Sequence, residues 1–361
     1  MAELFGKTLS KADILRYCGG PDSLAGVREY TLNKGRQGGL NVSDVSTGET
    51  EFTVLNDRCL DIYDLKYKGV NLAFKSKNGL QSPQYYDPAD AEFPLIFPGG
   101  FLYTCGLLNA GSSCIDEDVF YPVHGRIANT PANNTGIRTY WSGDDYNIEL
   151  SGSMTESALF GHNLRLNRTI STSMGAKSFT ISDAIENLDP SPIDYIILYH
   201  FNFGFPLIDA GTRLIKPNAV TLPRTDEAKQ GLSKHALFSQ PEDGFFEHVF
   251  FHKDLPSDKN GMTTAAIVND RLKLGVALKY TSFNLPVLVE WKSMRSGDYA
   301  VGLEPSNSFI SGRKTERANG MGGHLSGFGS DNIQIDIRIL DGVDDIESYE
   351  LNIAKMNSQS K

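Results

Sequence analysis

Along most of the chain, apolar and polar residues alternate with a period of two, the pattern of strands that bury one face. In HNLRLNRTIST the alternation puts Leu164, Leu166, Arg168 and Ile170 on one side. NIQIDIRIL does the same with Ile333, Ile335, Ile337 and Ile339, and SYELNI with Tyr349, Leu351 and Ile353. ETEFTVL, YNIELSGSM, KSFTISDAI, IDYIILYHFNF, TTAAIV, KLGVALKY and LPVLVEW predict further strands, and MGAK, NLDPSP, VNDRLK and RSGDY between them predict turns. SKADILRYCGG, closed by a glycine pair, predicts the one convincing helix. Many strands with few short helices predict an all-β fold, a large antiparallel β-sandwich, and exclude a doubly wound nucleotide site. The glycine-rich stretch 320–329 follows no hydrophobic strand and opens no helix, so it reads as a loop and not as a phosphate cradle. Stretches 75–115 and 221–262 lack a pattern and predict long irregular loops that cover a site or decorate an edge. There is no internal repeat and no compositional break, so 1–361 reads as one domain.

Composition narrows the partner. With 40% hydrophobic and 22% charged residues the chain is an ordinary globular one, and its net charge of −10 argues against nucleic acid or an anionic membrane. No apolar run approaches the length of a membrane span, and MAELFGKTLSKADILRY has no apolar stretch of a secretory signal. Cys18, Cys59, Cys105 and Cys114 have no metal-ligand spacing, so the expectation is a cytoplasmic protein with plain thiols and no metal site.

The candidate chemistry sits at the ends of strands. His200 closes an apolar strand among aromatic residues, where a histidine is by default a satisfied rim residue unless a second titratable group stands beside it. Glu304 ends another apolar strand directly before a proline, and His124 opens a Gly/Arg/Asn/Pro loop. Arg58, Arg126 and Asn109 offer hydrogen-bonding forks suited to sugar hydroxyls, and Phe201, Phe203 and Trp291 offer apolar faces for sugar C–H surfaces. Sequence patterns for zinc hydrolysis, serine esterase chemistry and ATP binding are missing.

At these residues the sequence resembles the aldose 1-epimerases. The resemblance rests on TCGLLNAG at 104–111, HGRIANTPA at 124–132, ALFGHNLRLNR at 158–168 and YHFNFGFPL at 199–207. Trp291-Lys292 and GLEPSN at 302–307 complete it, and it runs from about residue 45 to 340. Within that superfamily the patterns resemble a bacterial branch of longer proteins of unknown function. The resemblance implies a galactose mutarotase-like sandwich (supersandwich) with a cleft on a concave sheet. It also implies a helical or edge segment at 1–45 and an irregular insertion near the cleft at 221–262. By motif position it makes His200 the general acid and Glu304 the general base of anomer interconversion by ring opening, with no cofactor. His124, Arg58 or Arg126, Asn109, Asn202, Trp291 and Lys292 would bind substrate, and Glu247 would stand in for the carboxylate that holds a distal hydroxyl. The expected partner is a small carbohydrate, and the expected assembly a monomer or homodimer. The alternatives are a carbohydrate-binding or sensing protein without turnover, or another sugar isomerisation. Hydrolysis would need a second opposed carboxylate, which the sequence does not supply.

Overall fold

The computed structural model describes residues 1–359. The predicted strands form three large antiparallel sheets. The eight-stranded one runs in the order Asn133–Ser142, Asp145–Ser157, Asn163–Ser173, Ser178–Asn187, Ser330–Asp341, Leu274–Thr281, Met262–Asn269 and Arg213–Ile215. A five-stranded sheet spans Gly26 to Asn71. The third sheet builds the site, and its strands are β1 (Leu102–Leu107), β2 (Ile193–Phe203), β3 (Val220–Pro223), β4 (His248–Lys253), β5 (Val287–Arg295), β6 (Asp298–Ser306) and β7 (Gly323–Leu325). Their order is β3-β4-β5-β6-β2-β7, with β1 also paired to β2.

Strand β2 explains the layering. It is buried along nearly its whole length, so its two faces go to two apolar environments. Ile197, Tyr199, Phe201 and Phe203 join the main core with Ile148, Leu166, Ile170 and Ile181 of the eight-stranded sheet. Ile196 and Leu198 join a second cluster with Tyr103, Cys105 and Val289. Phe201 and Phe203, expected beside a sugar, are therefore core residues on the face opposite His200. Each contributes roughly 1.5–3 kcal/mol through burial.

The main core also holds a buried charge. Arg168, on the predicted apolar face of its strand, is 1% exposed. It donates to Asp183 at 2.9 and 2.7 Å and to Asp61 at 3.0 Å. Tyr199 Oη also donates to Asp183, at 2.8 Å, so the polar atoms taken from water find partners. This network links the five-stranded and eight-stranded sheets to β2.

Four local expectations are corrected. SYELNI lies in the helix Val343–Gln359: Ile346, Ile353 and Met356 are buried at helical spacing, while Leu351 is 63% exposed. Six alternating residues also fit part of such a face. Stretch 75–115 contains the fully buried strand β1, and 221–262 contains the helix Asp226–Gln230 as well as β4. The glycine-rich loop carries the short strand β7. The predicted helix forms over Lys11–Cys18, with a Ser10–Asp13 capping box and left-handed Gly19 at its end. Among the described residues no helix is long and apolar enough to cross a membrane.

Replacing Arg168 by Met strands two buried carboxylates and is expected to cost about 3–5 kcal/mol in equilibrium urea unfolding. Replacing Arg165, whose partly exposed pair with Glu186 is screened by water, is expected to cost under about 1 kcal/mol.

Candidate active site

Strand register brings His200 and Glu304 together. Phe201 pairs with Leu303 across β2 and β6, so His200 and Glu304, one step further along each strand, project side by side from the opposite face. His200 Nε2 and Glu304 Oε1 are 3.0 Å apart, with the residues 7% and 2% exposed. On the other side of β6, β5 sets Trp291 opposite Gly302. A Cβ at position 302 would stand 2.7 Å from Glu304 Oε1 and 3.1 Å from both His200 Cε1 and Trp291 Cβ. Glycine there leaves the space in which the three side chains meet.

The HGR turn supplies the next wall. His124 adopts a left-handed backbone (φ 58°), which histidine tolerates better than most residues. Gly125 has no alternative, because a Cβ would lie 2.2 Å from the Gly106 carbonyl oxygen. The Gly111 N–H donates to His124 Nδ1 at 3.3 Å, which leaves Nε2 to carry the proton of the neutral ring. The His124 and His200 rings are 5.9 Å apart, and Phe93 and Phe97 pack against them at 5.0 and 5.8 Å.

The result is an open cleft of about 720 Å³, lined by Phe74, Phe93, Phe97, Trp291, His124, His200, Glu304, Arg224 and Glu247 among others. A hollow of similar size over the five-stranded sheet has no histidine, and in a third, beside His162, that histidine forms no ion pair with a carboxylate among the described residues, so the His200–Glu304 pair singles out the cleft. Burial moves both partners toward their neutral forms. The His200 imidazole lies well below its usual 6.5, through burial and then the neighbouring His124. The Glu304 carboxyl lies well above its usual 4.5, through burial and then Glu247, with Arg224 opposing. Burial, then the Arg224 charge, pushes His124 down to about 4. The arrangement is a buried carboxyl–imidazole pair whose charged forms burial disfavours, rimmed by aromatic faces and by Arg224.

Of the residues singled out from sequence, His200, Glu304, His124, Glu247 and Trp291 line this cleft. Glu247 accepts from Trp291 Nε1 at 2.7 Å, which orients the indole. The others are not among the lining residues, and their polar atoms serve the scaffold. Arg58 is buried and donates to the Gln81 carbonyl at 3.0 Å, while Arg126 reaches the Phe120 carbonyl at 3.4 Å. Asn109 donates to the carbonyls of Ser112 and Pro122 and accepts from the Arg313 N–H, tying three loops together. Asn202, on the same face of β2 as His200, donates to the carbonyls of Gly100 and His200. Lys292 points behind the sheet, where it donates to the carbonyls of Lys234 and Leu237 at 2.9 and 2.6 Å. Sequence reading missed Arg224 as well as Phe74, Phe93 and Phe97. All lie in or beside the two irregular stretches, where no periodicity assigns a face. Gly302 carried a signal, because a glycine inside an apolar strand marks close approach.

Gly302→Ala is expected to separate His200 from Glu304 and to cost about 1–3 kcal/mol through overpacking. Thermal melts read the cost, and histidine ¹⁵N shifts read the separation. His124 is neutral in the fold but protonates near 6.5 when unfolded, so stability is expected to fall as pH drops from about 6.5 toward 4. His124→Gln is expected to make that part of a urea-stability profile less steep, the lowered His200 and His252 retaining their share.

Comparisons place the chain in a family. The chain superposes on a candidate aldose 1-epimerase from Klebsiella pneumoniae with a TM-score of 0.88, at 24% identity, over 93% of this chain and 90% of that one. A galactose mutarotase-like protein from Clostridium acetobutylicum matches with a TM-score of 0.61, at 17% identity, over 88% and 99%. The galactose 1-epimerase of Lactobacillus acidophilus matches with a TM-score of 0.54, at 14% identity, over 88% and 99%. Identities this low establish the galactose mutarotase-like sandwich and leave the reaction open. No curated protein matches the chain. The profile described as domain of unknown function DUF4432 matches residues 37–339, and the chain belongs to that family.

Proposed function

We propose that the protein is a cofactor-independent isomerase that interconverts the anomers of a free sugar. The observation that carries this reading is the His200–Glu304 pair, buried and 3.0 Å apart at the floor of an aromatic cleft. The ring oxygen and the anomeric hydroxyl of a cyclic aldose are bonded to the same carbon, so two adjacent groups can serve both. His200 gives a proton to the ring oxygen while Glu304 takes one from the anomeric hydroxyl. The C1–ring oxygen bond breaks and a C1 carbonyl forms. After rotation about C1–C2 the two proton transfers reverse on the other face, and the pair ends as it began.

The proton count favours this pair. The neutral form, carboxylic acid beside imidazole, and the working form, imidazolium beside carboxylate, differ only in the position of one proton. Burial favours the first, and the Arg224 charge favours ionised Glu304 in the second. Trp291 and the phenylalanines offer faces to the sugar, and Arg224 and Glu247 offer hydroxyl partners. Such acid–base catalysis is worth about 10²–10⁴-fold.

Anomer exchange measured by NMR magnetisation transfer across neutral sugars and their phosphates tests the proposal. Acceleration for at least one sugar, reduced about 10²–10⁴-fold in Glu304→Gln, is the expected result. Binding without acceleration would replace the enzyme by a sugar-binding module, and no binding to any sugar would remove carbohydrate from the reading altogether. For the active case kcat/KM is expected to be bell-shaped in pH, since a second proton blocks the base and loss of the shared one removes the acid. Burial moves the acid limb well below 6.5 and the alkaline limb well above 4.5.

A further inference from the structure

Behind the sheet, on the face away from the cleft, lies a second cluster of titratable groups that the proposed reaction does not use. Glu290 sits on β5 next to Trp291 and therefore points the other way. Its Oε2 is 2.9 Å from His235 Nδ1 and 3.0 Å from His252 Nε2. Glu290 and His252 are fully buried, and the His235 side chain is 18% exposed. The three elements involved are far apart in sequence: the turn after the helix Asp226–Gln230, then β4, then β5.

We infer that His235, His252 and Glu290 form a binding site for one divalent transition-metal ion of the zinc class. Four observations support it. The three ligand atoms lie within 4.8 Å of one another. Tetrahedral zinc with bonds of about 2.0–2.1 Å separates its ligands by roughly 3.3 Å, so each Glu290–histidine spacing needs to open by only a few tenths of an ångström, and the two imidazoles close on the ion from within 4.8 Å. Glu290 Oε1 is buried with no hydrogen-bond partner, an expensive state that a cation held by both carboxylate oxygens would relieve. His252 Nδ1 is 2.9 Å from Thr221 Oγ1, the outer partner that fixes a ligating imidazole with its other nitrogen turned inward. Two imidazoles and one carboxylate are a zinc-type donor set, and a water would complete the tetrahedron.

The neighbouring cations tolerate the ion. Lys292, on the same face of β5, has its ammonium held by the carbonyls of Lys234 and Leu237. Burial lowers the Lys216 ammonium, with Glu290 opposing. His248, two residues before Phe250 on the same face of β4, lies against Gly231 and is not within the ligand triangle. The ion would act as a clasp, pinning the 226–235 segment to the back of the sheet whose front carries Trp291. This site rests on its own residues and stands whether or not the cleft turns over a sugar.

The test uses the full-length protein, stripped with chelator and titrated with Zn²⁺ by calorimetry, and with Co²⁺ for its ligand-field spectrum. The expected result is one ion per chain, a tetrahedral Co²⁺ spectrum, a higher Tm with Zn²⁺, and ¹⁵N shifts at His235 Nδ1 and His252 Nε2. His235→Ala is expected to weaken binding by more than the about 10–100-fold typical of losing an outer-shell partner. His324→Ala, on the exposed surface, is expected to leave it unchanged. Because His235 is partly exposed, its variant keeps the test sound even if Glu290→Gln fails to fold. Failure to retain Zn²⁺, or equal affinity in His235→Ala, would overturn the proposal and leave a hydrogen-bonded triad.

Discussion

The constraint on which the site depends is the register of β2. A strand buried on both faces cannot slip by one residue, because a slip exchanges every side chain between its two environments. Here it would drive His200 into the main core and lift Phe201 into the cleft. The aromatic residues that bury Phe201 and Phe203 therefore also aim His200, and pairing to β6 aims Glu304 at the same point. The catalytic candidates are neighbours because two strands are paired in the only register that their hydrophobic faces permit.

Burial has a second effect at that point. It disfavours the charged form of each partner, so the pair is held near a balance between a neutral and an ionic state. Neither form leaves a net charge in the low-dielectric floor of the cleft. The surrounding groups then bias the balance: His124 disfavours the imidazolium, and Arg224 favours the carboxylate. A solvated pair would be governed by water instead, and its two groups would titrate near their ordinary values.

Much of the fold was legible because alternation over ten or so residues has one physical meaning. The strands around Leu164–Ile170 and Ile333–Ile339 lie where the pattern set them, and even Arg168 keeps its place on the buried face. SYELNI misled because six residues are too few to separate a period of two from one of 3.6. His200, Glu304 and His124 were legible from strand ends and motifs. The partners of Asn109 and Asn202 were not, since a polar side chain spent on backbone carbonyls looks, in sequence, like one waiting for a ligand. Arg224 and the phenylalanines of the rim were hidden in stretches without periodicity. The His235–His252–Glu290 cluster was hidden for another reason. Its members come from three separate elements, and only the pairing of β4 with β5 makes two of them neighbours.

Glu290 and Trp291 are consecutive residues that face opposite sides of one sheet, and the consequence reaches past either side chain. The segment between β3 and β4 passes over the back of the sheet at His235 and returns to the front, where Arg224, Phe245, Phe246 and Glu247 form a wall of the cleft. It behaves as a strap buckled behind the sheet and worn in front. The shape of the cleft can thus drift through changes in the strap while the His200–Glu304 floor stays untouched. Its fastening lies where no ligand in the cleft can reach it.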